Sequence, residues 1–492
     1  MRVGHRTVLV NEADVRWTWV DLRLAPAATA VWAVCAAAPW FTATDLALGA
    51  GGAAGLAAVA AWARVGRTSA ATLAMLAGVA VALATAAVRE SAREASPLTS
   101  AAEAGRGVEV VLELSDHPHV LSGSAAQRVV ADATVAVVTD GPVTHRLVAD
   151  VLLFAPADGW RDLGPGVPVR VRAGLSPPRA GDDVIAVVSA RGPPTLLSGP
   201  GLPHRVATGL REGLASSAGR LLPAGAAGLL PGLVIGDTRA MDPVLDVEFE
   251  RAGLSHLTAV SGANVAIILT AVLWPLRRRA VDRRVQAAVA VVVLIGFVVL
   301  AGPGPSVVRA AAMGAVTLLA LATGRPRAAL PALGAAVCAL LLLDPGLARD
   351  AGFALSVAAT AAIVLLAPSW SRSLRVRGCW PVLADAVAVS TAAGLATAPL
   401  VAGLTGTISL VSLPANLLAA PAVAPATILG LAATVVAPLA PLAGDAFVWC
   451  AGWPTRWLVL VAEGSAAVPD AATGWPAGAG GAVLLAMVLL SV

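Results

Sequence analysis

The sequence predicts a polytopic α-helical membrane protein carrying a small extracytoplasmic β-rich domain. Three observations carry that prediction. Hydrophobic residues make up 58% of the 492 positions and charged ones only 13%, with a mean hydropathy of +0.80; a soluble globular chain carries about twice that share of charge. Apolar runs near the roughly 20 residues needed to cross a hydrocarbon slab recur along most of the chain. One internal interval, Arg89 to Pro200, breaks the pattern with more charge and with apolar residues alternating at period two.

The first unit, residues 1–88, holds three N-terminal transmembrane helices, expected at about Leu24–Thr42, Leu46–Ala63 and Ser69–Val88. Arg2, Arg6, Arg16 and Arg23 precede the first run, but other spans follow it directly, so it does not read as a cleavable signal. Residues 89–200 form the second unit. Val108–Ser115, Arg128–Asp140, Arg146–Phe154, Val167–Ala173 and Val184–Ala190 read as short strands, and Val169-Arg-Val-Arg172 alternates as a half-buried strand should. Asp140-Gly-Pro142 and Gly164-Pro-Gly166 mark turns between them. Five short strands predict a small barrel or sandwich, with an OB-like barrel as one candidate.

Residues 201–492 form the third unit, predicted to be a transmembrane channel domain. It opens with an amphipathic stretch, Val206–Leu222, and an apolar run, Ala226–Ile235, that is too short to span and reads as re-entrant. Spans follow at about Leu254–Pro275, Val285–Ala301, Ser306–Thr323, Ala328–Leu343, Ala351–Ala367 and Val382–Leu404. From Ile408 onward Pro414, Pro421, Pro425, Pro438 and Pro441 predict broken helices, tolerated where they pack inside protein or line a wet cavity. Runs near Ala446–Val461 and Gly478–Val492 bring the expected total to roughly eleven to thirteen spans.

Arginine sets the expected orientation. With the N-terminus cytoplasmic, the short inside loops hold Arg64, Arg67, Arg277, Arg278, Arg279, Arg283, Arg284, Arg325, Arg327, Arg372, Arg375 and Arg377, against Arg349 alone outside. That imbalance fixes the topology and puts the β-rich unit outside the cytoplasm. Trp40, Trp62, Trp274, Trp370 and Trp380 fall near span ends, as an interfacial belt requires.

Composition also excludes chemistries. The basic residues are all Arg, so no GxxxxGK[ST] phosphate loop exists and energy must come from a gradient or a partner. Cys35, Cys338, Cys379 and Cys450 are scattered and read as free thiols. His117 and His119 have no accompanying ligand cluster, so no metal site and no cofactor is expected.

The polar residues inside apolar surroundings are the candidate site. Asp237, Arg239, Glu248, Glu250, Arg251, His256, Ser261 and Asn264 stand at the mouth of an apolar helix, with His256, Val260 and Asn264 on one helical face. Arg309 lies just inside the run after Gly302-Pro-Gly-Pro305, Asp344, Arg349, Asp350 and Ser356 open another helix, and Asn416 sits between Pro414 and Pro421. A charge at the bilayer centre costs about 2.5–3.5 kcal/mol, so such groups face a bundle interior or water. All lie on the predicted outer side, which points to a polar vestibule opening outward. Helix-packing hydrogen bonds for His256, Ser261 and Asn264, and interfacial snorkelling for Asp237 and Arg309, are the alternatives.

Several of these segments, taken in order, resemble the ComEC-type competence family. They are Gly232-Leu-Val-Ile-Gly-Asp237; Gly253-Leu-Ser-His-Leu257 leading to Ala259-Val-Ser-Gly262; Pro305-Ser-Val-Val-Arg-Ala310; Asp344-Pro345 with Gly352-Phe-Ala-Leu-Ser356; and Pro414-Ala-Asn-Leu-Leu418 with Pro421. The resemblance implies a membrane channel that imports single-stranded DNA in natural transformation, with an OB-like extracytoplasmic domain. It also implies an extracellular DNA receptor and a cytosolic helicase as partners. Many members carry a second His where this chain has Asn264. Longer members append a metallo-β-lactamase-like nuclease domain, whereas this sequence ends at Val492, so any strand degradation is expected from a separate protein. Arg239, Arg251 and Arg309 with His256, Ser261 and Asn264 would line the path, and Asp237, Asp344 and Asp350 would brace them. No catalytic residue is expected.

Two other classes remain open. An intramembrane Ser/His hydrolase would use Ser261 and His256, yet five residues apart on a regular helix they sit about 140° out of register, so the pair would need a break at Gly262 or a partner from elsewhere. A small-molecule secondary transporter shares the broken helices and buried charges. The interval from Arg89 to Pro200 holds ten Arg against thirteen Asp and Glu, with Phe154 and Trp160 its only aromatics. Strong nucleic-acid binding by that unit alone is therefore not expected.

Overall fold

The computed structural model describes residues 22–62, 70–121, 128–161, 163–179, 182, 184–199, 201–258, 261–302, 307, 310–312, 314 and 329–491. Helices dominate. Among the described residues six are long and apolar enough to cross a membrane: Ala43–Ala61, Ala71–Glu94, Arg283–Ala301, Ala351–Val376, Pro381–Thr405 and Ser412–Val436. Four further apolar helices are shorter, at Ala25–Trp40, Ala224–Ile235, Ala329–Leu343 and Gly478–Ser491. This falls below the eleven to thirteen expected spans because several apolar runs fold as short helices. The span expected at Ser306–Thr323 lies largely outside the described residues.

At the N-terminal end, α1 (Ala25–Ala37), α2 (Ala43–Trp62) and α3 (Ala70–Glu94) pack together. The third helix runs on past Val88 to Glu94, because Arg89-Glu-Ser-Ala-Arg-Glu94 contains only helix-compatible residues. Its end leads through α4 (Pro97–Glu103), N-capped by the Ser96 side chain, into the sheet.

All five expected strands form. They are β1 (Gly107–Leu114), β3 (Arg128–Asp140), β4 (Val143–Pro156), β5 (Pro168–Ser176) and β6 (Ala186–Ala190), joined by the short β2 (His119–Val120) and β7 (Thr195–Leu196). The order β1-β3-β4-β6-β5 closes on itself because β1 also pairs β5, and every pairing is antiparallel except β4 with β6. The result is a closed barrel. Alternation explains it: Val110, Leu112, Val135, Val151, Leu153 and Val169 all point inward and are fully buried. Leu98, Ala101 and Ala102 of α4 join that core, and Trp160 is buried with its indole N–H donated to the Gly192 carbonyl at 3.0 Å.

The helical bundle resumes with α5 (Leu202–Leu221), α6 (Ala224–Ile235), α7 (Pro243–Arg251), α8 (Gly262–Arg278) and α9 (Arg283–Ala301). It ends with α10 (Ala329–Leu343), α11 (Ala351–Val376), α12 (Pro381–Thr405), α13 (Ser412–Val436), α14 (Pro441–Ala466) and α15 (Gly478–Ser491). The 12-residue α6 is the hub. From Leu229 to Ile235 it is wholly buried among α5, α13 and α14, as a helix too short to span should be. Gly430 lets α13 approach it so closely that a Cβ there would lie 2.4 Å from Val234. Small residues are what allow such approach where lipid gives no hydrophobic drive.

Two expectations require correction. The proline-rich last quarter is not a set of broken helices: α13 runs unbroken through Pro421 and Pro425. Pro414 lies in its first turn, where the missing N–H had no intrahelical partner, while Pro438 follows its end and Pro441 opens α14. Nor does one helix carry His256 and Asn264. His256 lies in a 3-10 turn, Ser255–Leu257, and α8 starts only at Gly262, with Ser261 at its N-cap position. Serine followed by glycine favours a helix boundary over a helix interior. A two-stranded ribbon, β8 (Thr407–Ser409) with β9 (Ala472–Gly474), ties the loop before α13 to the loop after α14 and carries no signal in the sequence.

Candidate functional site at the exit of the buried helix

The polar residues gather where α6 ends. Gly236 takes a left-handed conformation (φ 77°) and donates its N–H to the Gly232 carbonyl, while Asp237 donates its N–H to the Pro231 carbonyl. The Leu233 carbonyl accepts instead from the Asn264 side-chain amide at 3.1 Å, which places Asn264, almost fully buried, as a clamp between α8 and α6. Ser261 Oγ donates to Asn264 Oδ1 at 3.4 Å. Gly232 packs against Thr238, with the Thr258 carbonyl also nearby, so the segments carrying Asp237 and His256 meet beside α6.

Asp237 and Arg239 form a two-pronged ion pair: Arg239 Nε and one terminal nitrogen donate to the two carboxylate oxygens at 2.8 and 2.7 Å, and the Arg239 backbone N–H donates to the carboxylate at 3.2 Å. Burial raises the Asp237 pKa, but the Arg239 bonds and charge, with His117 adding, outweigh it and hold the carboxyl below the usual range. The Arg239 side chain is about half exposed, so this pair is worth well under about 1 kcal/mol in stability.

Sequence reasoning missed two groups beside it. His117, on the barrel loop after β1, is held below its ordinary pKa by burial and by repulsion from Arg239 and Arg211, against the pull of Asp116 and Asp237. Arg211 of α5 is buried and donates through Nε to the Leu300 carbonyl at 2.5 Å, stitching α5 to the C-terminal end of α9. The barrel thus sits within electrostatic reach of the Asp237–Arg239 pair. His117 had stood out only as half of an isolated HPH cluster, and Arg211 lay unremarked within the amphipathic stretch Val206–Leu222.

A second group forms at the end of α7. Leu254 donates its N–H to the Phe249 carbonyl at 2.8 Å, and Gly253 turns left-handed (φ 70°) with Ser412 so close that a Cβ would lie 2.7 Å away. Ser409 Oγ donates to the Arg251 carbonyl at 2.8 Å, and the Asn416 amide donates to the Ser412 carbonyl at 2.8 Å and to the Gly253 carbonyl at 3.5 Å. The Arg251 side chain is exposed. His256 bonds the Gly253 carbonyl. The residue is exposed, and desolvation by the surrounding protein lowers its pKa more than the carbonyl raises it.

The remaining predicted residues lie elsewhere. Asp344 accepts the Gly346 N–H at 3.1 Å and caps a 3-10 turn, Pro345–Ala348; Asp350 accepts the Phe353 N–H at 2.6 Å and caps α11, nearly two turns before Ser356. That turn and the start of α11 pack on α1, where the Trp32 indole donates to the Ala348 carbonyl at 2.8 Å. Arg309 lies outside the described residues. Among the described residues no cluster of three or more His, Cys, Asp or Glu side chains could hold a metal ion.

A family model described as "Competence protein" matches residues 233–492, more than half of the chain, beginning in the last turn of α6 and leaving out the barrel and α5. The chain belongs to the competence protein family. A relative, ComE operon protein 3 of Bacillus subtilis (strain 168), is 29% identical over 213 residues, covering 43% of this chain and 26% of that protein. The chain therefore matches only about a quarter of that relative's length. No solved structure matches.

Proposed function

We propose that this family member is a membrane channel that passes single-stranded DNA inward across the cytoplasmic membrane during natural transformation. The observation that carries the reading is the gathering of the segments bearing Asp237, Arg239, His256 and Asn264 around the end of a helix too short to cross a bilayer. A polyanion entering a low-dielectric slab needs hydrogen-bonding and positive wall groups that hold it weakly enough to release it. Arg239, Arg251 and His256 supply such groups at the mouth. Asn264 and Asn416 position the backbone around them, and Arg309 is assigned to the same wall by the reading alone, whereas Asp344, Asp350 and Ser356 belong to the turn and helix packed on α1.

The arginine-rich short loops support a cytoplasmic N-terminus and an external barrel. The closed strand order with one parallel pair supports an OB-like barrel. His117 beside Arg239 gives the barrel a place from which to act on the mouth. An external DNA receptor, a cytosolic helicase and a separate nuclease complete the scheme, and membrane lipid surrounds the six long helices.

The test is protection of labelled DNA from external nuclease in cells of a competent host. His256→Ala and Arg239→Ala should leave surface-bound DNA intact and cut protected DNA at least tenfold. A deletion strain that transforms as well as its parent would overturn the reading.

A further inference from the structure

The hairpin between α8 and α9 reads Arg277-Arg-Arg-Ala-Val-Asp-Arg-Arg284, five guanidinium groups against the one carboxylate of Asp282. All five arginines are exposed, and among the described residues none has a carboxylate within ion-pair distance. Asp282 is engaged as the cap of α9, accepting the Arg284 backbone N–H at 2.7 Å. The turn itself has a fixed form. Ala280 donates its N–H to the Arg277 carbonyl and Val281 to the Leu276 carbonyl, both at 3.1 Å, and the Gln286 side chain donates back to the Val281 carbonyl at 2.8 Å. That paired closure of a helix end normally takes glycine at its left-handed position. Here Ala280 holds it, at φ 51°, and among the described residues Asp470 is the only other non-glycine with positive φ. The strain is held by the bonds around it.

The position of the turn is set by the helices it joins. Val265, Ile268 and Leu273 of α8 share one core with Ala290, Leu294 and Phe297 of α9. The second helix is one of the six long and apolar enough to cross a membrane, and it begins at Arg283 itself. Only Arg279–Asp282 lies between the two, a link too short to lift the arginines clear of the lipid headgroups. One turn inside α8 stands Trp274, 57% exposed, with the Arg278 guanidinium over its ring at 4.4 Å from the centroid. An indole beneath a guanidinium suits the boundary between acyl chains and headgroups.

Simpler roles account for part of this arrangement only. Orientation in the membrane asks for basic charge in the loop but not for a strained, hydrogen-bonded turn. Favourable interaction with a helix end covers Arg277 and Arg278, whereas Arg283 and Arg284 open α9, where the helix dipole disfavours cations. A second copy of the chain would set the same cations against one another. A nucleic-acid strand would have to enter the headgroup layer to reach them. A phospholipid anion is there already, and clusters of four to eight basic residues beside a membrane helix are what such headgroups attract. We infer that Arg277, Arg278, Arg279, Arg283 and Arg284, with Trp274 at its inner edge, form a site for the headgroup of an anionic phospholipid. The site does not depend on the channel reading.

The test uses the full chain in neutral detergent, titrated with phosphatidylglycerol or with phosphatidylcholine of the same acyl chains, and counts retained lipid by native mass spectrometry. The wild type should prefer phosphatidylglycerol by at least about twenty-five-fold, the effect of two arginines at about fivefold each. Arg278→Gln combined with Arg284→Gln should lower phosphatidylglycerol affinity by about that factor and leave phosphatidylcholine unchanged, while the same pair changed to lysine should keep most of the preference. Asp282→Asn keeps the cap and removes the one negative charge, so it should tighten phosphatidylglycerol about fivefold. A wild type that retains both lipids alike would overturn the site, as would a folded Gln pair of unchanged affinity. Where the Gln pair does not fold, Asp282→Asn decides, and an affinity no tighter than wild type overturns the site. A fluorescent oligodeoxythymidylate, added to the chain in phosphatidylcholine nanodiscs, forms the last arm. Strand binding that the Gln pair loses, with phosphatidylglycerol retention unchanged, would assign the arginines to nucleic acid and overturn the lipid site.

Discussion

Replacing Asn264 by leucine tests whether that residue acts as a clamp or as part of the path. The side chain is 2% exposed, and its amide donates to the Leu233 carbonyl at 3.1 Å. Leu233 belongs to the last turn of α6, whose carbonyls have no continuing helix to bond them. Gly236 and Asp237 serve Gly232 and Pro231, which leaves Leu233 to the amide. Leucine matches the volume but donates nothing, so the carbonyl is stranded in a dry contact, at about 1–3 kcal/mol in proteins generally. Membrane hydrogen bonds average nearer 0.6 kcal/mol, because the unfolded chain in lipid also finds partners. The near-complete burial puts the cost above that membrane average, at about 1–2 kcal/mol. The assay is thermal unfolding in detergent followed by intrinsic fluorescence, for which the chain has 13 tryptophans. At about 2–4 °C per kcal/mol for a chain of 150–250 residues, and less for a longer one, Asn264→Leu should lower the midpoint by a few degrees. Ser261→Ala, which loses only a 3.4 Å contact, should lie within error of wild type. An unchanged midpoint for Asn264→Leu together with lost DNA uptake would refute the clamp and return Asn264 to the path.

Gly253→Ala should destabilise by at least about 2 kcal/mol, since it meets both a left-handed backbone and a Cβ 2.7 Å from Ser412, and it should disturb the turn that carries His256; hydrogen exchange around residues 250–258 reads this out. Gly430→Val should overpack the α6–α13 contact at Val234, costing about 1–3 kcal/mol in the same unfolding assay. The third prediction concerns acid. His117 has a folded pKa below its usual value of about 6.5, so the unfolded chain takes up the proton first. Stability should therefore fall as pH drops below about 6.5 and level off below the folded pKa; His117→Gln should remove that component, as measured by unfolding midpoint against pH.

The strands were the most legible feature. Val169 and Val171 alternate with Arg170 and Arg172, and a period of two needs no tertiary information to read. The site was legible only in part. Asp237, Arg239, His256 and Asn264 were conspicuous because charge and amide are costly in apolar runs. Arg211 and His117 were not, because their significance lies in the Leu300 carbonyl 89 residues away and in the charge of Arg239 across the barrel junction. Asn264 looked like a wall group and proves to be a buried clamp.

By itself the sequence determined the solvent each segment can live in, through apolar length, arginine placement and period-two alternation, all of which are local quantities. Tertiary structure alone decided which helix is buried, where the prolines fall within continuous helices, and which polar groups meet at the end of α6. Those outcomes depend on contacts between residues far apart in the chain, such as Gly430 with Val234 and Ser409 with Arg251. Their energies arise from close approach in space, and no window of neighbouring residues encodes that.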